Sequence, residues 1–439
     1  MNHKGDRKQG EDRLSSLPDN ILISILSRLP LRSAIVTECL SSQWRGLWTN
    51  ITSINIKPGT TWKYSDEFLN ALDEIRSRIV SPCIHSFSFE FIHGVQGKFK
   101  PPYFDSWVQQ ICDRNIRELK LTWRSECGGW SSERRQFPSF IFETQSLVSI
   151  ELISSSEWDL PDDCEPIKLP NLKNLGINIC PSTCEWVEKQ IQLCPSLEQL
   201  SLACDNFFRT FSGVRIVCSN QNLRRLSINF DSSAISHNVV INAPKIEYLA
   251  IRAPKMSTFS FATKPIMLRE AKINIFGTTT PLLSNELNHL MSKFYEDISN
   301  VGFLIFQINS QYNCCRCWSC VLNVLTLNVS DIGADGMSCR LPKLGQARKL
   351  RVLKTINIKC YLPNNYDSRL DRSFVALIKY LLNNAVDLEH FKVNLDAGQL
   401  SEYVIVKHNK SVELKLCRLL YWCPMISKRC GVEFVCLNK

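Results

Sequence analysis

Residues 170–179, PNLKNLGINI, set a pattern that returns at 195–204 as PSLEQLSLAC, at 221–230 as QNLRRLSINF and at 244–253 as PKIEYLAIRA. Each copy runs apolar, two free, apolar, one free, apolar. Alternation of period two describes a strand with one face buried. Pro170, Pro195 and Pro244 stand two residues before the first apolar position and restrict the approach to each strand. A unit this short cannot bury its own apolar face, so copies must stack side by side.

Working outward, the same pattern starts at Ile51, Ile84, Ile116, Leu147, Leu172, Leu197, Leu223, Ile246, Leu268, Val301, Leu322, Leu353 and Leu388, at intervals of 21 to 35 residues. The match is closest between 170 and 253. It loosens beyond, where VGFLIFQI puts Phe303 and Ile305 at positions expected to be polar. The expected fold is therefore α/β: a repeat solenoid with parallel strands on one side and short helices and loops on the other. An ordinary α/β domain with a coincidental pattern would not give four such similar units in succession.

Residues 14–48 read differently, as three short amphipathic helices. In LPDNILISILSRLP, Leu17, Ile21, Leu22, Ile25, Leu26 and Leu29 recur at helical spacing. Pro18 suits the first helical position, Asp19 the positive helix start, and Pro30 the stop. Ser33 is placed to cap a second helix bearing Ala34, Ile35 and Val36. Ser41 is placed to cap a third, SSQWRGLW, with Leu40 ahead and Trp44, Leu47 and Trp48 on one face. Periodicity alone would also fit a helical cap over the end of a larger domain. The module is too short to bury all its apolar residues, however, and an exposed apolar face usually marks a partner site.

The stretch LSSLPDNILISILSRLPLRSAIVTECLSSQWRGLWTNI resembles the F-box of the plant F-box/leucine-rich-repeat/FBD family. The match rests on Leu17-Pro18-Asp19, Ile21-Leu22, Ile25-Leu26, Leu29-Pro30, Ala34, Leu40-Ser41, Trp44-Arg45 and Leu47-Trp48. Ser42 and Gln43 stand where the family more often has basic residues, and Glu38-Cys39 precede the Leu-Ser pair. Toward the other end, FVALIKYLLNNAVDLEHFKVNL looks like the helix and strand of an FBD module, through Leu381-Leu382, Asn384-Ala385 and Leu388. The resemblance implies a disordered tail over 1–11, an F-box over 12–52, leucine-rich repeats over 53–345 and terminal repeats with an FBD-like module over 346–439. It also implies a Skp-type adaptor as partner and, through it, a cullin scaffold. The adaptor-binding residues it points to are Leu17, Pro18, Ile21, Leu22, Ile25, Leu26, Leu29, Pro30, Leu40, Trp44, Leu47 and Trp48.

Composition narrows the function classes. The 44% hydrophobic and 21% charged content is that of a folded protein, and no apolar run reaches the ~18 residues of a membrane span. Asn2 stands where myristoylation needs Gly, and Asn438-Lys439 spoil a prenylation motif at Cys436. With no secretory signal, the 20 Cys are expected as free thiols in a reducing compartment, and the protein in the nucleus, the cytoplasm or both. The net charge of +10 comes from scattered Lys and Arg, which does not favour nucleic acid. Cys314, Cys315, Cys317 and Cys320 have gaps that zinc ligands use, but four thiolates within seven residues with no second pair fit buried or loop thiols better. Cys180 and Cys204, near strand ends, read as core. No phosphate loop, nucleophile elbow or zinc-protease helix is present, so neither catalytic residues, metal nor cofactor is expected.

If the strands stack, their free positions form the concave surface: Glu118, Lys120, Asn174, Asn178, Gln199, Ser201, Arg225, Ser227, Asn229, Tyr248, Arg252, Glu270, Lys272, Lys359 and Lys392. Their basic excess fits an acidic or phosphorylated segment of a protein substrate. Arg225, Arg252 and Lys272 are expected as a basic ridge with Tyr248 as its aromatic anchor. A repeat scaffold working outside any ligase, and a co-receptor holding a small molecule on the concave face, are the rival readings.

Overall fold

The computed structural model describes residues 14–56, 66–93, 101–125, 135–154, 158–159, 165–179, 183–204, 214–230, 236–254, 257–276, 293–294, 297–298, 303–309, 324–330, 355–361, 389–396 and 431–437. The chain divides into two compact units, Met1–Asn178 and Ile179–Lys439.

The first unit begins with the helices Asp19–Leu26 and Leu31–Val36, followed by short 3₁₀ turns at Thr37–Cys39, Ser42–Trp44 and Leu47–Asn50. Two sequence expectations need correction here. The second helix starts at Leu31 directly behind Pro30, so Ser33 lies inside it and caps nothing. The expected third helix is two 3₁₀ turns, because Gly46 between them takes the left-handed conformation at φ 75°. Ser41 does precede the first of these turns, in extended conformation, but makes no capping bond.

After this helical module come five parallel strands, Ser53–Ile56, Ser86–His93, Glu118–Ser125, Ser149–Ser154 and Asn174–Asn178, side by side in chain order. The second unit holds nine more, also parallel and in chain order: Gln199–Cys204, Arg225–Phe230, Tyr248–Pro254, Glu270–Phe276, Phe303–Asn309, Val324–Ser330, Thr355–Tyr361, His390–Asp396 and Gly431–Leu437. Each of the first thirteen strands begins two residues after one of the first apolar positions. Nine of those positions, Ile51 through Leu268, are at most 6% exposed. Val301, Leu322, Leu353 and Leu388 lie outside the described residues. The repeat thus runs well past residue 253, and a fourteenth strand, Gly431–Leu437, extends it beyond what the sequence pattern shows.

One hydrogen-bond device recurs. In seven copies the carbonyl of the residue after the first apolar position accepts two N–H groups from the next copy. Thr52 takes His85 and Ser86, His85 takes Arg117 and Glu118, and Arg117 takes Val148 and Ser149. In the second unit Glu198 takes Arg224 and Arg225, Arg224 takes Glu247 and Tyr248, and Glu247 takes Arg269 and Glu270. This fixes the register, so equivalent residues sit opposite each other: Leu200, Leu226, Leu249 and Ala271 form one buried row, and Leu202, Ile228, Ile251 and Ile273 the next. Each buried aliphatic side chain of this kind contributes about 1.5–3 kcal/mol. Within the second unit the register steps once, by two residues, where Ile305 rather than Phe303 faces Val324.

The second layer has the expected helices between the earlier strands, Asp66–Arg78, Pro101–Cys112, Phe140–Glu143 and Cys184–Leu193, and departs from them only further along. Behind three successive copies of the second unit stands a small parallel sheet, Arg215–Ser219, Asn238–Asn242 and Thr258–Phe261. Helix Cys184–Leu193 runs beside its edge, where Glu188 Oε1 accepts the Val217 N–H at 2.6 Å. That carboxylate satisfies a backbone donor an edge strand would leave open.

Candidate adaptor-docking face and strand-face cluster

In the helical module, the twelve residues marked from the sequence separate into two groups. Leu22, Leu26, Trp44, Leu47 and Trp48 are interior, at most 8% exposed. They act on a partner only through the shape they hold. Pro18, Ile21, Pro30 and Leu40 are exposed, and Leu17, Ile25 and Leu29 are half-buried. Leu14 and Val36 join the exposed apolar set, at 48% and 61%. Neither was marked from the sequence. Val36 was assigned to the helix without its facing, and Leu14 precedes the periodic run.

Polar bonds lock the module in place. The Trp44 indole donates to Ser15 Oγ at 3.0 Å, and Gln43 Nε2 donates to the Leu17 carbonyl at 3.0 Å, fastening the leading segment over the Ser42–Trp44 turn. Glu38 Oε1 accepts from the Gly46 N–H at 3.0 Å, the Trp48 indole at 2.7 Å and Arg78 Nη2 at 3.3 Å. The Arg78 guanidinium also lies 4.8 Å from the centre of the Trp48 ring. Arg78 ends helix Asp66–Arg78. Glu38 therefore joins the helical module to the first repeat. The sequence marked it only as a departure at the polar edge, because its three donors lie 8, 10 and 40 residues away.

On the open face of the strands in the second unit, Arg225, Tyr248 and Glu270 occupy one row. Ser227, Ala250 and Lys272 make the next, and Asn229, Arg252 and Asn274 the one after. The expected ridge of Arg225, Arg252 and Lys272 is thus spread over three rows. Strand neighbours are ~4.8 Å apart but two residues along a strand span ~6.6 Å, so a shared face does not make these side chains adjacent. What assembles instead is Tyr248 between two cations: Arg225 Cζ stands 5.4 Å from the ring centre and Lys272 Nζ 5.3 Å. Lys272 also bonds Glu270 at 2.9 Å, which raises its pKa above the ordinary lysine value. Arg252 donates to Asn229 Oδ1 at 3.3 Å. In the first unit the corresponding Lys120 is tied to Glu151 at 2.6 Å, and an added Cβ on Gly176 would meet Glu151 Cγ at 3.2 Å. Glu118, Gln199 and Ser201 are exposed, and Asn174 and Asn178 half-exposed.

Among the described residues no cluster of His, Cys, Asp or Glu could hold a metal ion. Cys180 and the Cys314–Cys320 group lie outside the described residues, as do Leu381, Leu382, Asn384 and Ala385 of the FBD-like stretch. Cys204 is buried. Burial pushes the Cys112 and Cys218 thiols up to about 11 and about 12, which suits inert core thiols. Among the described residues no helix is long and apolar enough to cross a membrane.

Comparison with known proteins bears on both faces. Residues 14–54 match the F-box domain, and residues 104–287 match the family described as FBD-associated F-box protein At5g56370, LRR repeats. F-box/FBD/LRR-repeat protein At5g22660 of Arabidopsis thaliana is 30% identical over 484 residues, covering 98% of each chain. F-box/FBD/LRR-repeat protein At1g78750 of the same plant is 24% identical over 98% of this chain and 97% of its own. F-box/FBD/LRR-repeat protein At4g00160, also from Arabidopsis thaliana, is 28% identical over 64% of this chain and 60% of its own.

Proposed function

The chain belongs to the F-box/FBD/LRR-repeat family, and on that premise we propose that it is the substrate-recognition subunit of a Skp–cullin–F-box ubiquitin ligase. The F-box docks a Skp-type adaptor, which carries the cullin, and the strand face holds a protein substrate for ubiquitination. The observation that carries this reading is the exposed apolar set of Leu14, Ile21, Val36 and Leu40 on a module whose interior is already filled by Leu22, Leu26, Trp44 and Trp48. Such a set on a well-formed module is surface kept for a partner.

In this role the chain needs no catalytic residue. Holding substrate beside a ubiquitin-charged enzyme raises its effective concentration, and the rate gain comes from proximity and orientation. The substrate segment is acidic or phosphorylated and meets Arg225 and Lys272 on either side of Tyr248, with Arg252 further along the strands. The complex works in the nucleus, the cytoplasm or both.

Affinity purification of the full chain with the proteasome blocked, against a chain lacking residues 12–52, tests this. Adaptor and cullin should co-purify with the full chain alone, while ubiquitinated proteins accumulate on it. Recovery of the same partners without adaptor or cullin would make the chain a ligase-independent scaffold instead.

A further inference from the structure

We infer that the second unit takes its substrate as an extended stretch of polypeptide lying across the strands, gripped by its main chain between two acidic side chains about six residues apart. This rests on the substrate-receptor reading and states the form such a substrate must have. Six residues after the first apolar position, seven successive copies carry Asn229, Arg252, Asn274, Gln307, Asn328, Lys359 and Asn394. Five are amides, two are cations, and none is acidic or apolar. Asparagine is disfavoured in strands, so the sheet itself does not account for them.

Pairing lines these positions up on the open face. Asn229, Arg252, Asn274 and Gln307 form one row. Beyond the register step, Asn328, Lys359 and Asn394 continue one row over. Asn309, opposite Asn328 and on one strand with Gln307, joins the two rows. Arg252 therefore stands between Asn229 and Asn274, and Lys359 between Asn328 and Asn394. Other strand-face lysines stand against acids: Lys120 bonds Glu151, Lys272 bonds Glu270, and Lys392 is opposite Glu433. Arg252 and Lys359 have amides opposite them instead. Charge complementarity calls for carboxylates on the ligand at these two places.

Spacing decides the form of the ligand. Four strand intervals of ~4.8 Å and the step of ~6.6 Å separate Arg252 from Lys359 by roughly 20 Å. An extended chain rises ~3.3 Å per residue, so six residues span the distance, and the first and last of them face the same way. Six residues of helix would cover only ~9 Å. Between the two cations, amide side chains both donate and accept, as peptide groups do. They suit the backbone of any residue, so the grip is indifferent to the side chains lying between. Asn274, whose Oδ1 is buried, has only its N–H groups to offer. The Tyr248 cluster lies beside the near end of this belt.

The experiment uses the full chain and the fluorescein-labelled peptide SESASASES, whose two glutamates are six residues apart, followed by fluorescence anisotropy. It should bind saturably. The isomer SASESSESA, with the glutamates three apart, should bind about five-fold more weakly. Replacing the central amides of SESASASES by esters, which removes several main-chain donors and no side chain, should cost at least about ten-fold. Lys359→Ala should bind SESASASES no better than the singly acidic SESASASAS, which the unaltered chain should bind about five-fold more weakly than SESASASES. The peptide comparisons on the unaltered chain stand whatever the variant does. Absence of saturable binding, equal affinity for amide and ester forms, or indifference to the spacing of the glutamates would overturn the inference. Adaptor binding is read separately on the same preparation. Its loss with peptide binding intact would end the ligase reading alone, and the reverse outcome would end this inference alone.

Discussion

Glu38, in the 3₁₀ turn behind the second helix, and Arg78, at the end of the first repeat helix, meet at 3.3 Å over the ring of Trp48. Two parts of the chain forty residues apart share one carboxylate. Since Glu38 also takes the Gly46 and Trp48 donors, it contributes more than a surface ion pair would. Glu38→Ala should destabilise the first unit by about 2 kcal/mol, whereas Arg78→Ala, removing a half-exposed partner, should cost under about 1 kcal/mol. Chemical denaturation read by tryptophan fluorescence distinguishes the two. Equal losses would mean the carboxylate acts only through the ion pair.

Buried and exposed F-box residues should fail in different ways. Trp44→Ala empties an interior site and should cost about 3–5 kcal/mol, losing the adaptor through loss of structure. Ile21→Asp with Leu40→Asp should leave the thermal midpoint nearly unchanged yet weaken adaptor binding more than ten-fold. Calorimetry with purified Skp-type adaptor checks both, and full affinity in the double variant would relocate the docking face.

Tyr248 gives the strand face its test. Arg225→Glu with Lys272→Glu should reduce capture of the proteins that accumulate on the chain lacking residues 12–52. Arg252→Glu, one row beyond Lys272 and two beyond Arg225, should do so less. Adaptor binding and folding should be intact in both variants. Unchanged recovery in the double variant would move the substrate contact elsewhere, the C-terminal stretch being the next place to look.

His237 sets a pH dependence. It is 2% exposed, accepts the Val214 N–H on Nδ1 at 3.2 Å and lies 4.4 Å from Phe230. Nε2 therefore carries the proton, and burial lowers the pKa to about 4. The unfolded chain takes up this proton near pH 6.5 and the folded one only near 4, so the stability present above pH 6.5 is lost as pH falls through that window. The loss is on the order of 2–3 kcal/mol. Urea midpoints between pH 7.5 and 4.5 should fall more steeply for the parent than for His237→Gln, and parallel slopes would remove His237 as the cause.

Much of this fold was open to reading in advance because each repeat states its strand twice, by alternation and by the first buried apolar position. The last strand was not, since Arg429 stands where that apolar residue should be. The outer sheet was readable from Ile216 and Cys218, Val239 and Ile241, Phe259 and Phe261, which also alternate, but Gly213 and Ser236 stand where the first apolar position would precede the first two, and only the third has one, Met256. The basic cluster was misjudged because its members count differently from their own repeats. Arg225 stands two residues after Leu223, Lys272 four after Leu268 and Arg252 six after Ile246. Contacts such as Glu38 with Arg78 arise only when distant segments meet, and no local pattern announces them.

The step between Phe303–Asn309 and Val324–Ser330 carries a constraint on how this chain can change length. Parity governs it. A slip of two residues returns every side chain to the side it left, so the ladder absorbs it without exchanging interior for exterior. A slip of one would turn the entire strand inside out. Single-residue insertions inside a strand should therefore be rejected throughout the array, while pairs of residues, or whole copies, can be gained and lost with the core still facing inward.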